Sequence, residues 1–507
     1  MRIFRNPWVQ GLLVFLASLA WFSWLQSWGA FADPDGFYHA KIAELIAKQG
    51  PVMSFPWLDL TTLGRSFVDQ NYLYHLLLIP FERVFGMLPG TQIATVLFAA
   101  FTITAFYAVA RWLRVPLPWL WALLFMLMPV MGRRLSWAKS GALVQILFLF
   151  GMSALAKRKA WLIFLISTLY ALTHGGWILF LACQTAYVIG EWAVARFSFQ
   201  ERSWKDARSA IWAVAASVAG IFLGSLLHPN REALWHFFVT TVISIGLVNP
   251  VGQVPLGGEW YAPEGIDLFT FFFLPTLAGV VVLFGAFVTR HVRDREAAKR
   301  AVGYLCAFAI PFAWSLRSIR FQEYAAPLLV MAIALLAIQV DRPRAREKLL
   351  ELFPRWIAPL FLTGIAVVAA HQAWDVHQMI RSYAKPFGRF APAMAVVRTF
   401  VAPGERVAHS AWDIFPELFA EDDRYRYVSG LDPTFLLDEH PQVSKAYTEL
   451  FLGTTSTGAY ELIRHALDAR VVVVDRHDRA FESVLLSDHR FEVMYADDAA
   501  TVFRTFP

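Results

Sequence analysis

The chain has 507 residues, of which 57% are hydrophobic and 16% aromatic. This apolar excess excludes a disordered or collagen-like chain and disfavours an ordinary soluble globule. Charge is uneven, because residues 373–507 hold 14 basic and 20 acidic residues, whereas residues 1–372 carry a net charge of +12. The two cysteines, Cys183 and Cys306, lie far apart in apolar runs, which excludes a disulfide framework. They form no CxxC pair, which disfavours a cysteine zinc site.

Apolar runs long enough to cross a bilayer begin near the N-terminus and continue to about residue 372. A spanning helix needs roughly 20 apolar residues, and Val9–Ala30 is the first such run. Further runs begin near residues 91, 117, 140, 160, 176, 211, 268, 301, 323 and 356. The sequence therefore predicts an α-helical polytopic membrane protein with about eleven spans.

Basic residues concentrate in alternate loops and so predict the orientation. The basic loops contain Arg2 and Arg5, Arg111 and Arg114, Lys157 to Lys159, Arg196 to Arg208, Arg290 to Arg300, and Arg342 to Arg355. The positive-inside rule places these loops, and the N-terminus, in the cytoplasm of a cell with the chain in its inner membrane. Short basic clusters between apolar runs also favour membrane loops over a nucleic-acid partner.

The predicted outer side carries two long loops and the C-terminal segment. Within the first loop, residues 31–90, the pattern of Phe37–Lys48 indicates an amphipathic helix at the membrane interface. The second loop, residues 228–267, is rich in Pro and Gly. Thus residues 1–372 are predicted to form a transmembrane domain with these outer loops.

The C-terminal segment has a different pattern. Val-rich strands are predicted at Arg470–Asp475, Phe491–Tyr495 and Thr501–Phe503, with helical stretches around residues 442–467. This alternation predicts that residues 373–507 form a soluble α/β domain. With an odd number of spans, this domain lies in the periplasm or outside the cell.

A pair of carboxylates follows the first span in the stretch Asp33-Pro34-Asp35-Gly36-Phe37-Tyr38-His39. Two carboxylates at a membrane boundary are costly if buried and unpaired. They can hold a divalent metal, or one of them can act as a general base. Alternatively, Asp35 caps the interfacial helix and Gly36 eases the turn. The spacing alone does not decide whether these carboxylates form an active site or cap the helix.

This stretch resembles the first outer loop of GT-C glycosyltransferases, above all the catalytic subunits of bacterial and archaeal oligosaccharyltransferases, where an acidic pair precedes aromatic residues and a helix. The resemblance implies a GT-C fold and transfer of a sugar or oligosaccharide from a polyprenyl phosphate or diphosphate to a protein or glycolipid acceptor. It implies catalytic roles for Asp35 and Asp33, which could also bind Mg or Mn. Tyr38 and His39 are then expected at the acceptor.

Three further segments look like parts of the same family. Arg317 and Arg320 precede a late span, where arginines can bind phosphate bidentately or anchor lipid headgroups. Glu259, in Gly257-Gly258-Glu259-Trp260, matches only the final Glu of a family motif and is a catalytic candidate or a plain loop residue. Trp412-Asp413 resembles the end of the family's Trp-Trp-Asp acceptor motif, but Ala411 replaces the first Trp, which puts recognition of an Asn acceptor sequence in doubt.

The second predicted outer loop departs from the family pattern. It contains Arg133, Arg134 and Lys139 and no carboxylate, where many members carry another acidic metal-binding motif. Three cations repel a metal and attract phosphate, so these residues are predicted to bind the donor phosphate. Either a metal takes other ligands, such as Asp69 or Glu259, or the enzyme works without metal.

Two other classes of function stay open at this point. Many spans with intramembrane polar residues also suit a transporter or flippase of a lipid-linked or anionic solute. A non-catalytic scaffold is favoured by the missing acidic motif. His174, in Thr173-His174-Gly175-Gly176-Trp177, and His228-Pro229-Asn230 end predicted spans and serve as hydrogen-bonded caps or line the cavity.

Overall fold

The computed structural model describes residues 6–201, 204–239, 254–289, 293–352, 354–455 and 458–506. Arg2, Arg5, Arg290 and residues 240–253 of the second predicted outer loop lie outside the described residues. The chain divides into two compact units. Unit 1 consists of Met1–Ser27, Ala94–Leu227 and Tyr261–Tyr383, and unit 2 of Trp28–Ile93, His228–Trp260 and Ala384–Pro507.

The helices account for most of the chain. In chain order, the first eleven are α1 (Pro7–Leu25), α2 (Asp35–Gln49), α3 (Thr62–Arg65), α4 (Tyr72–Phe85), α5 (Met87–Trp112), α6 (Pro118–Leu127), α7 (Pro129–Leu135), α8 (Gly141–Ala156), α9 (Ala160–Thr173), α10 (Trp177–Ala193) and α11 (Trp204–Leu227). The others are α12 (Leu234–Phe238), α13 (Gly265–Thr289), α14 (Arg295–Ser315), α15 (Gln322–Leu336), α16 (Arg342–Leu352), α17 (Ile357–Ser382), α18 (Ala391–Phe400), α19 (Phe415–Glu421), α20 (Thr434–Glu439), α21 (Pro441–Phe451) and α22 (Arg479–Ser487).

Each of the eleven predicted apolar runs is helical. Within the described ranges, seven helices are long and apolar enough to cross a membrane: Pro7–Leu25, Met87–Trp112, Trp177–Ser198, Arg208–Leu227, Asp267–Phe287, Ile319–Gln339 and Ile357–Ser382. The runs near residues 117, 140 and 160 form the shorter helices α6, α8 and α9, and α14 begins with charged residues. The polytopic helical fold is therefore confirmed, with seven full-length candidate spans where about eleven were predicted.

Helices α9 and α11 of unit 1 pack closely through two glycines. A Cβ atom on Gly220 would lie 2.3 Å from the carbonyl oxygen of Phe164, and one on Gly224 would lie 2.5 Å from that of Thr168. The hydroxyls of Ser167 and Ser217 join the same two helices at 2.7 Å. Small residues four apart are a recurrent contact between membrane helices, because they let the two backbones approach.

Unit 2 contains the sheets. Its strands are β1 (Ala30–Phe31), β2 (Lys385–Pro386), β3 (Arg406–His409), β4 (Arg426–Tyr427), β5 (Ala469–Asp475), β6 (Phe491–Ala496) and β7 (Ala500–Thr505). Five of them form a sheet in the order β4-β3-β5-β7-β6, in which β3 is parallel to β4 and β5, and β7 is antiparallel to β5 and β6. The α/β character predicted for the C-terminal segment is confirmed.

The core of unit 2 combines residues from distant parts of the chain. The ring of Phe55 stacks on Phe67 at 4.8 Å and meets the edge of Phe419 at 5.6 Å. Asp59 accepts hydrogen bonds from Arg406 at 2.8 and 2.9 Å and from Arg426 at 2.9 Å. The segment of the first predicted outer loop is therefore built into the same compact unit as the C-terminal sheet, and the predicted border at residue 372 falls inside α17.

Candidate active site

The acidic pair stands at the start of α2. The Oδ1 atom of Asp33 accepts the backbone N–H of Asp35 at 3.0 Å, so Asp33 closes the turn that starts the helix. Asp35 is the first helical residue, where the N-terminal dipole favours a negative charge. Both residues are half-buried. The sequence predicts that Asp35 caps this helix, but the carboxylate that closes the turn belongs to Asp33.

Three buried side chains of unit 2 form a hydrogen-bonded chain. The Nδ1 atom of His75 lies 2.8 Å from Oδ2 of Asp69, and its Nε2 atom lies 2.7 Å from Nδ1 of His39. His39 is on α2 and His75 on α4, and these helices pack against each other. The sequence predicts Asp69 only as an alternative metal ligand, and it does not predict a role for His75, because nothing in the local pattern marks that residue.

The loop after α11 holds Asp69 through its backbone. Asn230 Oδ1 accepts the N–H of Asp69 at 3.2 Å, and Asn230 Nδ2 donates to the carbonyl of Val52 at 3.0 Å. His228 Nε2 lies 3.1 Å from the carbonyl oxygen of Asp69. Burial lowers the pKa of His228 and so favours its neutral ring, although the contact with Asp69 acts in the opposite direction. The predicted His228-Pro229-Asn230 motif thus positions Asp69.

Tyr38 is close enough to Asp69 and Asp35 for both charges to act on it. Its ring is packed in the core of unit 2, and burial raises its pKa well above the usual value, with further contributions from Asp69 and then Asp35. Both carboxylates therefore favour the protonated hydroxyl of Tyr38. Tyr38 and His39, predicted to contact the acceptor, are 6% and 5% exposed. Such burial favours an internal role for both side chains.

The residues present do not assemble a ready metal site. Across the part of the chain that the structure describes, no group of three His, Cys, Asp or Glu side chains is arranged to hold a metal ion. The predicted ligands Asp33 and Asp35 supply two carboxylates, of which Asp33 already accepts a backbone hydrogen bond. Mg or Mn prefers several oxygen ligands, which is more than these two carboxylates supply.

In unit 1, the predicted phosphate ligands surround one indole. The guanidinium carbons of Arg134 and Arg133 lie 4.5 and 5.9 Å from the ring centroid of Trp137, and Nζ of Lys139 lies 5.0 Å from it. Arg133 also lies 5.1 Å from the ring of Phe271 on α13. Aromatic faces attract cations, so the Trp137 ring helps to hold these three side chains together.

A carboxylate missed in the sequence joins this cluster to the late arginine segment. Arg134 Nε donates to Glu323 Oε2 at 2.6 Å, and both side chains are 7% exposed. Gln145 Nε2 donates to the backbone carbonyl of Glu323 at 3.0 Å. Glu323 follows Arg320 by three residues, at the start of α15. The structure therefore brings the two predicted groups of phosphate ligands into one region of unit 1.

The predicted acceptor motif and the Glu259 loop meet in unit 2. The indole Nε1 of Trp412 donates to the carbonyl of Pro255 at 3.0 Å, and a Cβ atom on Gly257 would lie 3.5 Å from the same ring. Glu259 is half-buried in the short helical turn Gly258–Trp260 that follows. The contact joins two segments whose proximity is not apparent from the sequence. A small cavity next to them is lined in part by Ser410, Trp412 and Tyr447.

Carboxyl groups gather at the carboxyl ends of β3 and β5. Burial raises the pKa of Asp413, against the opposing effect of Lys385, and raises the pKa of Asp478 to about 6, against its hydrogen bond from Ser410. Arg389 binds Glu417 through two bonds of 3.0 and 2.8 Å and reaches Asp475 at 2.9 Å. Asp413, next to Trp412, therefore lies among several carboxylates whose charge Arg389 and Lys385 partly offset.

Comparison with solved structures identifies the fold. Archaeal oligosaccharyltransferase AglB from Archaeoglobus fulgidus, in complex with an inhibitory peptide and a dolichol-phosphate, matches with a TM-score of 0.61 and 13% identity over 93% of this chain and 70% of AglB. ArnT from Cupriavidus metallidurans bound to undecaprenyl phosphate matches with a TM-score of 0.52 and 15% identity over 97% of both chains. Arabinofuranosyltransferase AftD from Mycobacteria gives 0.53 and 13%, over 98% of this chain and 40% of AftD.

These neighbours define the class of fold. All three are membrane glycosyltransferases of the GT-C superfamily, so the chain has a GT-C fold, and the resemblance predicted from its first outer loop is confirmed at that level. The chain is a multi-pass membrane protein. No protein-family model and no curated protein sequence matches it.

Proposed function

We propose that this chain is an integral membrane glycosyltransferase that moves a sugar or oligosaccharide from a polyprenyl phosphate or diphosphate to an acceptor outside the cytoplasm. The observation that carries the proposal is a half-buried Asp35 in the first turn of the helix that follows α1, within a GT-C fold. AglB and ArnT, both GT-C, were solved with polyprenyl phosphates, which supports a lipid-linked donor.

Asp35 is the group that takes the acceptor's proton. As the acceptor oxygen or nitrogen attacks the anomeric carbon, its proton moves to the Asp35 carboxylate. The bond between that carbon and the phosphate oxygen breaks, and the lipid phosphate leaves with the electron pair. General-base catalysis of this kind contributes about 10²–10⁴-fold to a rate. Asp33 holds the turn that presents Asp35.

The cations of unit 1 hold the departing phosphate. The proposed phosphate ligands are Arg133 and Lys139, beside Trp137, together with Arg317 and Arg320, which precede α15. Preorganised cations stabilise negative charge that develops on a leaving group. Arg134 acts mainly through its ion pair, because Glu323 already occupies its Nε.

The acceptor is bound by the segment around Trp412 and Asp413, with Glu259 in the adjoining loop. This assignment is supported by the contact of Trp412 with Pro255 and Gly257. The class of acceptor is protein or glycolipid. In the proposed orientation, this segment lies on the periplasmic side of the inner membrane, and the N-terminus lies on the cytoplasmic side.

The test is sugar transfer by purified protein in lipid nanodiscs. Polyprenyl phosphate and diphosphate donors with labelled sugars are supplied with peptide or glycolipid acceptors. Wild-type protein is expected to label an acceptor, and Asp35→Asn to lose about 10²–10⁴-fold in kcat while it stays folded. The matched control is Asp498→Asn, because Asp498 is exposed on unit 2.

Full transfer by Asp35→Asn would remove the assigned role of Asp35. Movement of intact lipid-linked sugar across proteoliposomes, without transfer to any acceptor, would instead support the transporter or flippase alternative. Activity in the presence and absence of EDTA, with Mg and Mn restored separately, decides whether a divalent metal takes part.

A further inference from the structure

An open cleft of about 360 Å³ in unit 1 has no role in the mechanism proposed above. It is bordered by the turn after α5, by Arg293 just before α14, and by the turn between α15 and α16. Three arginines line it, Arg114, Arg293 and Arg342, beside apolar atoms of Ile338 and Val340. Binding sites for small molecules have this size and combine apolar walls with a few polar or charged groups.

This cleft is distinct from the cation cluster around Trp137. Glu323, which pairs with Arg134, is the second residue of α15, whereas Ile338 follows the end of this helix. The 15 residues of α15 rise about 22 Å, so the cleft and the cluster stand at opposite ends of the helix. The loops of the cleft are among the basic ones that the positive-inside rule assigns to the cytoplasmic side, away from the proposed donor phosphate.

Arg114 occupies a backbone position that usually belongs to glycine. The N–H of Val115 donates to the carbonyl of Ala110 at 2.9 Å, and this bond closes the end of α5 around a left-handed Arg114 with a φ of 63°. Glycine adopts this conformation without strain, whereas a residue with a Cβ atom does so at a cost. The chain thus keeps an arginine where glycine would be easier, which indicates a use for its side chain.

Arg158 has the same backbone conformation just after α8, but its side chain is engaged within the protein. Its guanidinium donates to the carbonyl of Leu155 at 3.0 Å and forms an ion pair with Glu191. Among the residues that the structure describes, the guanidinium of Arg114 forms no hydrogen bond or ion pair, and it borders the cleft. Arg158 therefore secures its own helix, whereas Arg114 is the arginine that a ligand can engage.

Further charges make the surroundings of Arg114 positive. Burial lowers the pKa of Lys157, and the nearby charges of Arg300 and Arg114 lower it further. Asp341 offsets part of the charge, because its Oδ2 lies 3.8 Å from Nη1 of Arg293. Cations that gather at one cavity repel one another, and a bound anion relieves that repulsion. Guanidinium groups bind phosphate through paired hydrogen bonds, so phosphate is the anion that fits them best.

We propose that this cleft binds the phosphate group of an anionic phospholipid from the surrounding membrane. The ends of α5 and α15 that border it belong to candidate spans, so the cleft lies at the level of the lipid headgroups. Basic pockets between membrane helices on the cytoplasmic side bind such headgroups. Ile338 and Val340 then contact the apolar part of the lipid next to the phosphate. A soluble phosphate compound offers the same charge without that apolar part, and experiment separates the two sources.

The test is lipid binding to the purified chain in detergent, measured by native mass spectrometry during titration with phosphatidylglycerol or phosphatidylcholine. Wild-type protein is expected to retain one phosphatidylglycerol molecule more tightly than phosphatidylcholine. The cleft variant combines Arg114→Gly, Arg293→Gln and Arg342→Gln. Its Kd for phosphatidylglycerol should rise about 10- to 100-fold, because charge-assisted hydrogen bonds to the phosphate are lost.

The matched control removes the same charge from exposed positions on the same predicted face, outside the cleft: Arg196→Gln, Arg346→Gln and Arg355→Gln. It should bind phosphatidylglycerol as the wild type does. Equal losses in the cleft variant and in the control would overturn the proposal, because the lipid would then respond to the overall charge of that face. Equal affinity of the wild type for the two lipids would overturn it as well.

Arg114→Gly alone keeps the proposal testable if the triple variant does not fold. Glycine suits the left-handed backbone at this position, so the single variant should be at least as stable as the wild type. Its Kd for phosphatidylglycerol should rise about tenfold. An unchanged Kd in this folded variant would contradict the proposed contact between Arg114 and the phosphate.

Inorganic pyrophosphate is the soluble probe, and it is added to wild-type protein that holds phosphatidylglycerol. Little displacement is expected, because pyrophosphate lacks the apolar part of the lipid. Complete displacement at a pyrophosphate concentration equal to that of the lipid would overturn the assignment to a membrane lipid and identify a soluble phosphate compound as the ligand. None of these measurements requires sugar transfer, so their outcome is independent of the proposed function.

Discussion

Arg134 and Glu323 form a buried ion pair between residues 189 positions apart, with Nε of the arginine 2.6 Å from Oε2 of the glutamate. Because Arg134 also lies over the face of Trp137, the pair connects the cation cluster to Glu323 on α15. It fixes α7 to α15, so the arrangement of the proposed phosphate ligands depends on it.

Glu323→Ala should therefore destabilise the protein. Removal of one partner leaves a buried guanidinium without its counter-charge, which costs about 3–5 kcal/mol in the free energy of unfolding. The measurement is thermal or denaturant unfolding in detergent micelles. Glu351→Ala is the control, because the Lys348–Glu351 pair is exposed and its loss should change the stability little. Equal effects of the two substitutions would contradict a structural role for the Arg134–Glu323 pair.

Lys139→Ala should weaken donor binding and leave the fold intact. Lys139 is half-buried and contacts the face of Trp137, and loss of one charge-assisted contact to phosphate should raise the donor KM about 10- to 100-fold. Steady-state kinetics at two salt concentrations provide the measurement, since a charge contact weakens with salt. Arg344→Ala, on exposed α16, is the control and should keep the wild-type KM. An unchanged donor KM in Lys139→Ala excludes this lysine as a phosphate ligand.

Gly224→Ala should force α9 and α11 apart. The new Cβ atom would lie 2.5 Å from the Thr168 carbonyl oxygen and 2.8 Å from Cβ of Ala171, and backbone atoms cannot yield as a side-chain end does. Overpacking of this kind costs about 1–3 kcal/mol. Unfolding of purified protein is the measurement. Gly364→Ala on α17 is the matched control, because no atom lies within 4 Å of its added Cβ. Its stability should be unchanged or higher.

Mild acid should destabilise unit 2 through His409. Burial lowers the pKa of this histidine to about 4, although the carbonyl of Ala411 accepts its Nδ1 proton at 2.8 Å and favours the charged form. The folded pKa lies below the ordinary value of 6.5, so the unfolded chain binds a proton first. Stability falls as the pH drops from about 6.5 toward 4, by about 3 kcal/mol in total.

The measurement is unfolding of wild-type protein and His409→Gln between pH 7 and 4. Part of the acid dependence should disappear in the variant, because the titrating group is gone. His465→Gln serves as the control, since His465 is exposed. An identical slope of stability against pH in all three proteins would rule out His409 as the acid-sensitive group.

The helices, the C-terminal strands and the position of Asp35 follow from local patterns. An apolar run of about twenty residues indicates a membrane span, and a Val-rich run indicates a strand. Each pattern can be recognised within a short stretch of sequence. The start of α2 is also local, because Asp33 accepts the backbone N–H of Asp35 within the same turn. Those features were accessible from the sequence because neighbouring residues cause them.

The other parts of the site depend on contacts between distant residues. Glu323 meets Arg134, Trp412 meets Pro255, and His75 meets His39 only after helices and loops have packed. No local spacing marks these pairs. A single sequence therefore reveals the carboxylate that stands at a helix start, but not the charges and rings that surround it.

The composition of unit 2 has a consequence for biosynthesis. Its aromatic core joins Phe55, made early, to Phe415 and Phe419, made after nearly all the spans have left the ribosome. At synthesis rates of about 5–20 residues per second, the early segment waits some tens of seconds for its partners. During that interval an uncovered aromatic surface stands beside the membrane, where a chaperone or the lipid interface itself must shield it.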